Sequence, residues 1–319
     1  MGIRGTHPVS DSAARFARIS LLALLAAFLA TGCSIRKVAI RKMADALAQG
    51  GSTFSSDDDP DLVKDALPFS LKLMETLLSE SPRHQGLLLA TASGFTQYAW
   101  AFVQQEADEL ETRDIAAADR MRARARQLYR RARDYALRGL EIRHRGFEQD
   151  LRASPKSAVA AATRSDVPLL YWTAASWGAE ISLSKDNPGL VAEQPVVEAL
   201  IDRALQLEEG YDQGAIHSFL ITYEPSRQGA PGDASERSRK HFERAMALSG
   251  GHQAGPLVAL AESVSVARQD RREFEELLQQ ALAVDVNARP EWRLANLVMQ
   301  RRARWLLSRV DEIILENSK

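Results

Sequence analysis

The segment from Ser93 to Glu106 constrains the fold more than any other, because it carries aromatic residues on more than one face of a helix. At about 100° per residue, Phe95, Tyr98 and Phe102 lie on one face and Trp100 points to nearly the opposite side. A helix that is apolar on opposite sides packs between neighbouring helices. We therefore predict a chain of helices packed around buried ones.

The rings of this segment have two interpretations. They form plain hydrophobic core, or some of them line a ligand cavity in which Gln97 and Gln104 are polar contacts. The second interpretation is reasonable because ligand pockets are mostly apolar with a few placed polar groups. Both interpretations stay open from the sequence.

A second aromatic helix is predicted to begin at Asp166, Val167 and Pro168. Tyr171 lies on a stripe of mostly small residues, whereas Trp172 and Trp177 project to other faces, so this helix is also enclosed on several sides. His217 follows in a short helix and is the one histidine that we place inside a pocket. The alternative is a core histidine with satisfied hydrogen bonds.

The remaining periodicity is helical, and no segment alternates as a half-buried strand would. The sequence therefore predicts an all-α fold with short loops, including a surface loop at Gln228–Ser235 and a small-residue connector at Ala153–Arg164. The predicted helices not yet named are Ile35–Ala48, Gln85–Leu110, Asp114–His144, Val196–Glu208, Ser235–Ser249, Pro256–Arg268, Arg271–Val284 and Pro290 to about Glu316.

An acidic run at Asp57–Asp61 marks the start of another helix. It lacks the glycine and the distant glutamate of an EF-hand calcium loop. We predict that Asp59 caps the helix and that Pro60 occupies its first turn. The apolar pattern then passes through Pro68, which predicts a kink or a break there. Its members are Leu62, Ala66, Phe69, Leu73 and Leu77.

The helix Asp114–His144 is the most basic part of the chain and follows a segment with an acidic end. A nucleic-acid or lipid patch is one interpretation. We favour ion pairing with the acidic end of the preceding helix across an antiparallel turn. The basic residues are Arg120, Arg122, Arg124, Arg126, Arg130, Arg131 and Arg133.

A weak internal repeat indicates how the helices stack. Three segments, at residues 203–207, 244–248 and 280–284, are similar, and each has alanine in its second position. These alanines, Ala204, Ala245 and Ala281, stand 41 and then 36 residues apart (245 − 204 and 281 − 245). The spacing is close to the tetratricopeptide period of about 34 residues plus loop insertions. Phe242 and Leu278 each precede a repeat alanine by three positions. We predict a single domain over residues 33–319, a degenerate TPR-like stack of antiparallel helix pairs with a concave face.

The amino terminus has the pattern of a lipoprotein signal peptide over residues 1–32. Basic residues precede the apolar run Ile19–Ala30, which is shorter than the about 20 residues that span a bilayer. Leu29–Cys33 resembles a bacterial lipobox, although Ala30 stands where leucine is usual. Cys33 is the predicted lipidation site; a free buried cysteine is the alternative. Ser34 favours the outer membrane over the inner one, with the protein anchored by acyl chains and facing the periplasm.

Composition and motifs point away from several functions. The 41 basic and 42 acidic residues argue against a whole-protein footprint for nucleic acid, and the single cysteine excludes an intrachain disulfide. The six histidines make no HExxH pair, and GxSxG and phosphate-loop motifs are missing. We expect no metal, no cofactor and no enzymatic activity.

Several segments in combination resemble the T-component of tetratricopeptide-repeat-associated TRAP transporters. The resemblance covers nearly all of the chain after Cys33. It implies a periplasmic lipoprotein that forms a homotrimer, has a pore or cleft through each protomer, and works beside a periplasmic solute-binding protein that feeds a permease. The segments are Ser55–Pro60, Ser93–Ala99, Phe102–Ala107, Asp166–Gly178, Gly214–His217 and Glu291–Asn296.

Three functional hypotheses follow. The first is a transport accessory that docks the solute-binding protein and holds or passes a hydrophobic or amphiphilic solute. The second is a helical-repeat scaffold lipoprotein for cell-envelope assembly, and the third is a hydrolase with a cryptic site. The candidate pore residues of the first are Phe95, Gln97, Tyr98, Phe102, Tyr171, Trp172, Trp177 and His217.

Overall fold

The computed structural model describes residue 16, residues 40–48 and residues 51–315. Its secondary structure is helical, and no strand occurs in the described part of the chain, which confirms the all-α prediction. Cys33, the predicted signal peptide apart from residue 16, and the first residues of the predicted helix Ile35–Ala48 lie outside the described residues; residues 40–48 are helical. None of the helices described is long and apolar enough to span a bilayer.

Ten helical elements, α1 to α10, make up most of the structure. They are α1, Pro60–Glu80; α2, comprising Gln85–Ala99, the π-helical turn Trp100–Gln104 and Gln105–Leu110; α3, Ile115–Glu141; α4, Val167–Ser182; α5, Gln194–Leu207; α6, Ala215–Tyr223; α7, Ala234–Ser249; α8, comprising Gly255–Leu260, the π-helical turn Ala261–Ser265 and Val266–Arg268; α9, Arg271–Ala283; and α10, Arg293–Leu307. Short helices cover Gly51–Ser55, Phe147–Ala153, Pro155–Val159, Pro188–Val191 and Val310–Ile313.

Successive helices pack against each other, and the end of the chain returns to its start. Helix α3 packs on α2 and α4, α4 on α5, α6 on α7, and α9 on α8 and α10. Helix α10 also contacts α1 and the short helix Gly51–Ser55, which precedes α1. The Arg293 guanidinium donates to the Ser56 carbonyl at 2.9 Å, and Arg301 pairs with Glu109 at 2.8 Å. These contacts join the two ends of the stack.

Helix α1 begins as predicted but is not interrupted. The Asp59 carboxylate accepts hydrogen bonds from the backbone N–H groups of Asp61 and Leu62, and Pro60 is the first helical residue. Of the two outcomes predicted at Pro68, the break is wrong, because one helix runs from Pro60 to Glu80, and the kink stays a prediction. Proline removes a single backbone donor, and the turns on both sides keep their own hydrogen bonds.

Two other boundaries differ from the predictions. The predicted connector Ala153–Arg164 contains the helix Pro155–Val159, because Pro155 occupies a first turn, where its missing N–H costs nothing. The predicted last helix is divided: Arg293–Leu307 ends at Ser308, whose hydroxyl donates to the Trp305 carbonyl, and Val310–Ile313 follows. Local hydrogen bonds of this kind compete with helix continuation.

The repeat alanines occupy corresponding helices. Ala204, Ala245 and Ala281 lie in α5, α7 and α9, and their exposed fractions are 0%, 1% and 0%. Small residues at these points let the neighbouring helix approach closely. The packing of the helices against each other is established, whereas the TPR-like stack of antiparallel helix pairs stays a prediction.

The basic helix α3 has more than one acidic partner. Arg122 pairs with Asp108 at 3.0 Å and Glu111 at 2.9 Å, which confirms the predicted pairing with the end of α2. That prediction is wrong for Arg130 and Arg133, which bind Glu180 of α4 at 2.8 and 2.6 Å. Glu180 is fully buried, and a buried carboxylate requires a paired cation.

Candidate functional site

An aromatic cluster, formed by Tyr171, Trp172 and Tyr211, lies where α4 meets the turn before α6. The ring centroids of Tyr171 and Trp172 are 4.9 Å apart with planes at 75°, and those of Tyr171 and Tyr211 are 5.4 Å apart at 53°. All three side chains are half-buried. The inclined rings therefore form a corner that water can reach.

Helix α4 exposes these rings because its other faces are used for packing. Leu170, Ala174 and Trp177 are each 0% exposed and belong to one hydrophobic core. Tyr171 and Trp172 follow one another between these positions and remain half-buried. The aromatic cluster thus lies on the one side of α4 that its neighbours leave partly open.

The turn before α6 has an unusual backbone. Asp212, Gln213 and Gly214 have φ values of 43°, 52° and 106°, so three successive residues are left-handed. Glycine is required at the last position because a Cβ there would lie 3.2 Å from the Ala245 Cα of α7. Left-handed non-glycine residues carry strain, and such strain often marks functional sites.

Asp212 places a carboxylate beside the aromatic cluster. The side chain retains contact with solvent, yet desolvation by the surrounding protein raises its pKa. Burial raises the pKa of the Tyr171 and Tyr211 hydroxyls, and the negative charge of Asp212 raises both further. Asp212 therefore adds a partly desolvated carboxylate to the half-buried rings.

A different cluster forms around two of the predicted site residues on α2. Phe95 stacks on Tyr135 with centroids 6.2 Å apart, and the Arg131 guanidinium lies 5.4 Å from the Phe95 centroid. The Arg124 guanidinium lies 5.8 Å from the centroid of Tyr98. Arginines of α3 thus cover ring faces that the sequence placed in a candidate pore.

Comparison with known proteins places most of the chain in one family. The family model of the TRAP transporter T-component matches residues 56–314. The chain belongs to this family. It is also similar to an uncharacterized protein of Treponema pallidum (strain Nichols), with 28% identity over 317 residues that cover 94% of this chain and 98% of that protein. The family supports an accessory role in TRAP transport, and it is a family of transport components, not of enzymes.

Phe102 and the predicted polar residue Gln97 lie on different faces of α2. Phe102 is buried, with its ring centroid 5.9 Å from that of Tyr98. Gln97 is exposed, and its amide donates to the Ser93 carbonyl of its own helix at 3.3 Å. The structure therefore separates Gln97 from the rings that it was expected to accompany.

Trp177 lies in the core that joins α3 to α4. It is 0% exposed, and its ring lies near the guanidiniums of Arg133 and Arg152, at 4.9 and 5.0 Å from the centroid. Its indole N–H donates to Glu193 at 2.9 Å. These contacts are those of a packed core residue; a part for Trp177 in ligand binding stays a prediction.

His217 of α6 forms a close pair with His241 of the neighbouring helix α7. The two Nδ1 atoms are 2.8 Å apart, and His217 Nε2 lies 3.3 Å from Glu209. Burial lowers the pKa of both rings, that of His241 to about 4 with a further contribution from His217. Burial thus favours the neutral form of both rings, in which one Nδ1 donates to the other.

The sequence predictions missed Tyr211 and Asp212. Gly210 and Gly214 on either side of them are a signal for a turn. Nothing in the local pattern shows that the turn meets α4, because that contact depends on the packing of helices distant in sequence. In the described part of the chain, no three His, Cys, Asp or Glu side chains are grouped so that they could hold a metal ion.

Proposed function

We propose that the protein docks the periplasmic solute-binding protein of a TRAP system and holds or passes a hydrophobic or amphiphilic solute at the aromatic cluster. Membership of the T-component family supports the transport role. The observation that carries the solute site is the half-buried corner of Tyr171, Trp172 and Tyr211, which has the apolar lining and nearby polar groups that are typical of ligand pockets.

Binding of an amphiphile tests the site. Decanol, titrated against the purified full chain and followed by calorimetry, should bind the unmodified protein. The Trp172→Ala variant should bind at least about tenfold more weakly, since an aromatic ring that packs against a ligand contributes about 1.4 kcal/mol to binding. Trp305→Phe is the control, because Trp305 is covered by the guanidiniums of Arg302 and Arg309. Equal affinity in all three proteins would refute the site.

Docking is tested separately by affinity purification. The tagged protein should recover a periplasmic solute-binding protein from cells that contain the matching TRAP permease. Recovery of cell-wall enzymes or an envelope-assembly complex in its place would favour the scaffold function and contradict the transport function.

A lipid anchor at Cys33 completes the proposal. Cys33 ends the signal-like segment at residues 1–32, and acyl chains contribute about 0.8 kcal/mol for each buried CH₂ group. Metabolic labelling with a fatty acid should mark the unmodified protein in the outer-membrane fraction. Cys33→Ala should abolish the label and release the protein from the membrane; label retained in this variant would refute the anchor.

We also propose assembly as a homotrimer, with an exposed apolar stripe on α1 as part of the contact between subunits. Leu62 and Phe69 lie seven positions apart on one face, and their exposed fractions are 59% and 74%. Large apolar side chains exposed together indicate an interaction surface. Light scattering after gel filtration should give the mass of a trimer, and Leu62→Glu with Phe69→Glu should give a monomer. Lys72→Glu, an exposed change on the same helix, is the control.

A further inference from the structure

Among the residues that the structure describes, the aromatic cluster has no cation over any of its rings, unlike the clusters around Phe95 and Trp177. In the described residues, an arginine lies over each of several other rings, but none lies over Tyr171, Trp172 or Tyr211. The rings covered by an arginine are those of Phe95, Tyr98, Tyr135, Trp177, Tyr223, Trp292 and Trp305.

The carboxylate beside these rings is also without a cation. Asp212 forms no ion pair and accepts no hydrogen bond among the residues that the structure describes, and it directly follows Tyr211 of the cluster in the chain. Glu208, the other charged group that acts on Tyr211, is negative as well and pairs with Arg164. Asp212 is therefore a charge at this corner that no described cation neutralises.

Aromatic ring faces and a nearby carboxylate favour the same kind of ligand. The face of an aromatic ring is negative and attracts cations, and cages of Tyr and Trp rings bind quaternary ammonium groups. A carboxylate supplies the opposite charge. The rings exclude water from an alkylammonium group, which is larger and less strongly hydrated than a metal ion.

We propose that the aromatic cluster and Asp212 bind the alkylammonium or quaternary ammonium group of a cationic solute. This inference rests on the proposed solute site and specifies the chemical class of its ligand. Tyr171, Trp172 and Tyr211 form the walls around the cation. Asp212 provides its counter-charge, held at the cluster by the left-handed turn that ends at Gly214.

A pair of ligands that differ in charge but not in shape tests the inference. Choline carries a quaternary ammonium group, and 3,3-dimethylbutan-1-ol is its neutral counterpart with carbon in place of nitrogen. Calorimetry with the purified full chain should show choline binding at least about tenfold more tightly than the alcohol, as expected for a cation on aromatic faces beside a carboxylate.

Substitutions at the site test which side chains bind the cationic group and which bind the alkyl part of the ligand. Asp212→Asn should weaken choline binding about tenfold and leave binding of the alcohol unchanged, whereas Trp172→Ala should weaken both. Asp186→Asn, an exposed aspartate in the loop after α4, should alter neither. Circular dichroism shows whether each variant is folded.

The outcomes separate this inference from the proposed function. Equal affinity for choline and the alcohol, or choline binding that survives Asp212→Asn, would overturn the cation site and leave a neutral solute site in place. Failure of both ligands to bind would overturn the cation site as well. Recovery of the solute-binding protein, measured independently, would still support the transport role.

Discussion

The two aromatic clusters differ in what covers their rings. Around Phe95 and Tyr98, arginines of α3 lie over the ring faces, and the side chains of both rings are nearly fully buried. Around Tyr171 and Trp172, the rings are half-buried, and the turn that carries Tyr211 of the same cluster also carries the carboxylate of Asp212. The first cluster is satisfied within the protein, whereas the second presents aromatic surface and negative charge to solvent.

The difference shows that aromatic content alone does not identify a ligand site. The same kind of ring is core where a guanidinium and a packed helix cover it, and a candidate contact for a ligand where they do not. The functional information lies in the groups around a ring. Changing rings and charges in each region, and measuring stability and binding separately, therefore tests the difference between the two clusters.

The largest expected effect is on the free energy of unfolding when a tryptophan of α4 is replaced by alanine. The loss should be larger on the buried side of the helix than on its open side. Trp177→Ala should lower the free energy of unfolding by about 3–5 kcal/mol, since it empties a fully buried site. Trp172→Ala should lower it by less than about 1.5 kcal/mol, because the side chain is already partly exposed to water. Urea unfolding followed by circular dichroism measures the stability of both variants. Similar losses of stability would contradict the difference between the buried and the open side of α4.

The buried carboxylate of α4 should be the next most sensitive position. Glu180→Ala should cost about 3 kcal/mol, because it removes the buried partner of the nearly buried Arg133 guanidinium and leaves it only the exposed Asp134. The equivalent change at Glu111, which is exposed and pairs with Arg122, should cost less than about 1 kcal/mol. A loss at Glu111 as large as that at Glu180 would show that burial does not govern these pairs.

Relief of backbone strain at the turn should stabilise the protein. Gln213 has φ of 52°, and a left-handed non-glycine residue costs about 1 kcal/mol. Gln213→Gly should therefore raise the free energy of unfolding by up to about 1 kcal/mol. Gln213→Ala is the control and should give no gain; stabilisation by alanine would mean that the backbone there is unstrained.

The smallest effect concerns the charge of Asp212. Desolvation raises its pKa in the folded protein above the unfolded value, so the folded state binds more protons between the two values. The free energy of unfolding should therefore fall as pH rises through this window. Above the folded-state pKa, the full cost of desolvating the charged carboxylate is present. Asp212→Asn should abolish this dependence and gain less than about 0.5 kcal/mol near pH 7, a typical surface effect. An unchanged pH profile of stability would contradict the desolvation of Asp212.

The helices and part of the candidate site could be predicted from the sequence. Caps and periodicity are local properties, so Asp59 and Pro60 mark the start of α1, and Tyr171 and Trp172 are found on the predicted aromatic helix. The sequence could not reveal the partner of Arg133 or the position of Tyr211. Both depend on contacts between helices that are distant in the chain, and helical periodicity carries no information on which faces meet.

Crystallography with a brominated amphiphile would test the central claim most directly. The claim is that the rings of Tyr171, Trp172 and Tyr211 are open to a ligand, whereas the rings of Phe95 and Tyr98 are already covered. Crystals of the full chain grown with a bromoalkyl trimethylammonium salt should show an anomalous bromine or alkyl-chain signal beside Tyr171 and Trp172. A signal confined to the surroundings of Phe95 and Tyr98, or an empty cluster at saturating ligand, would contradict it.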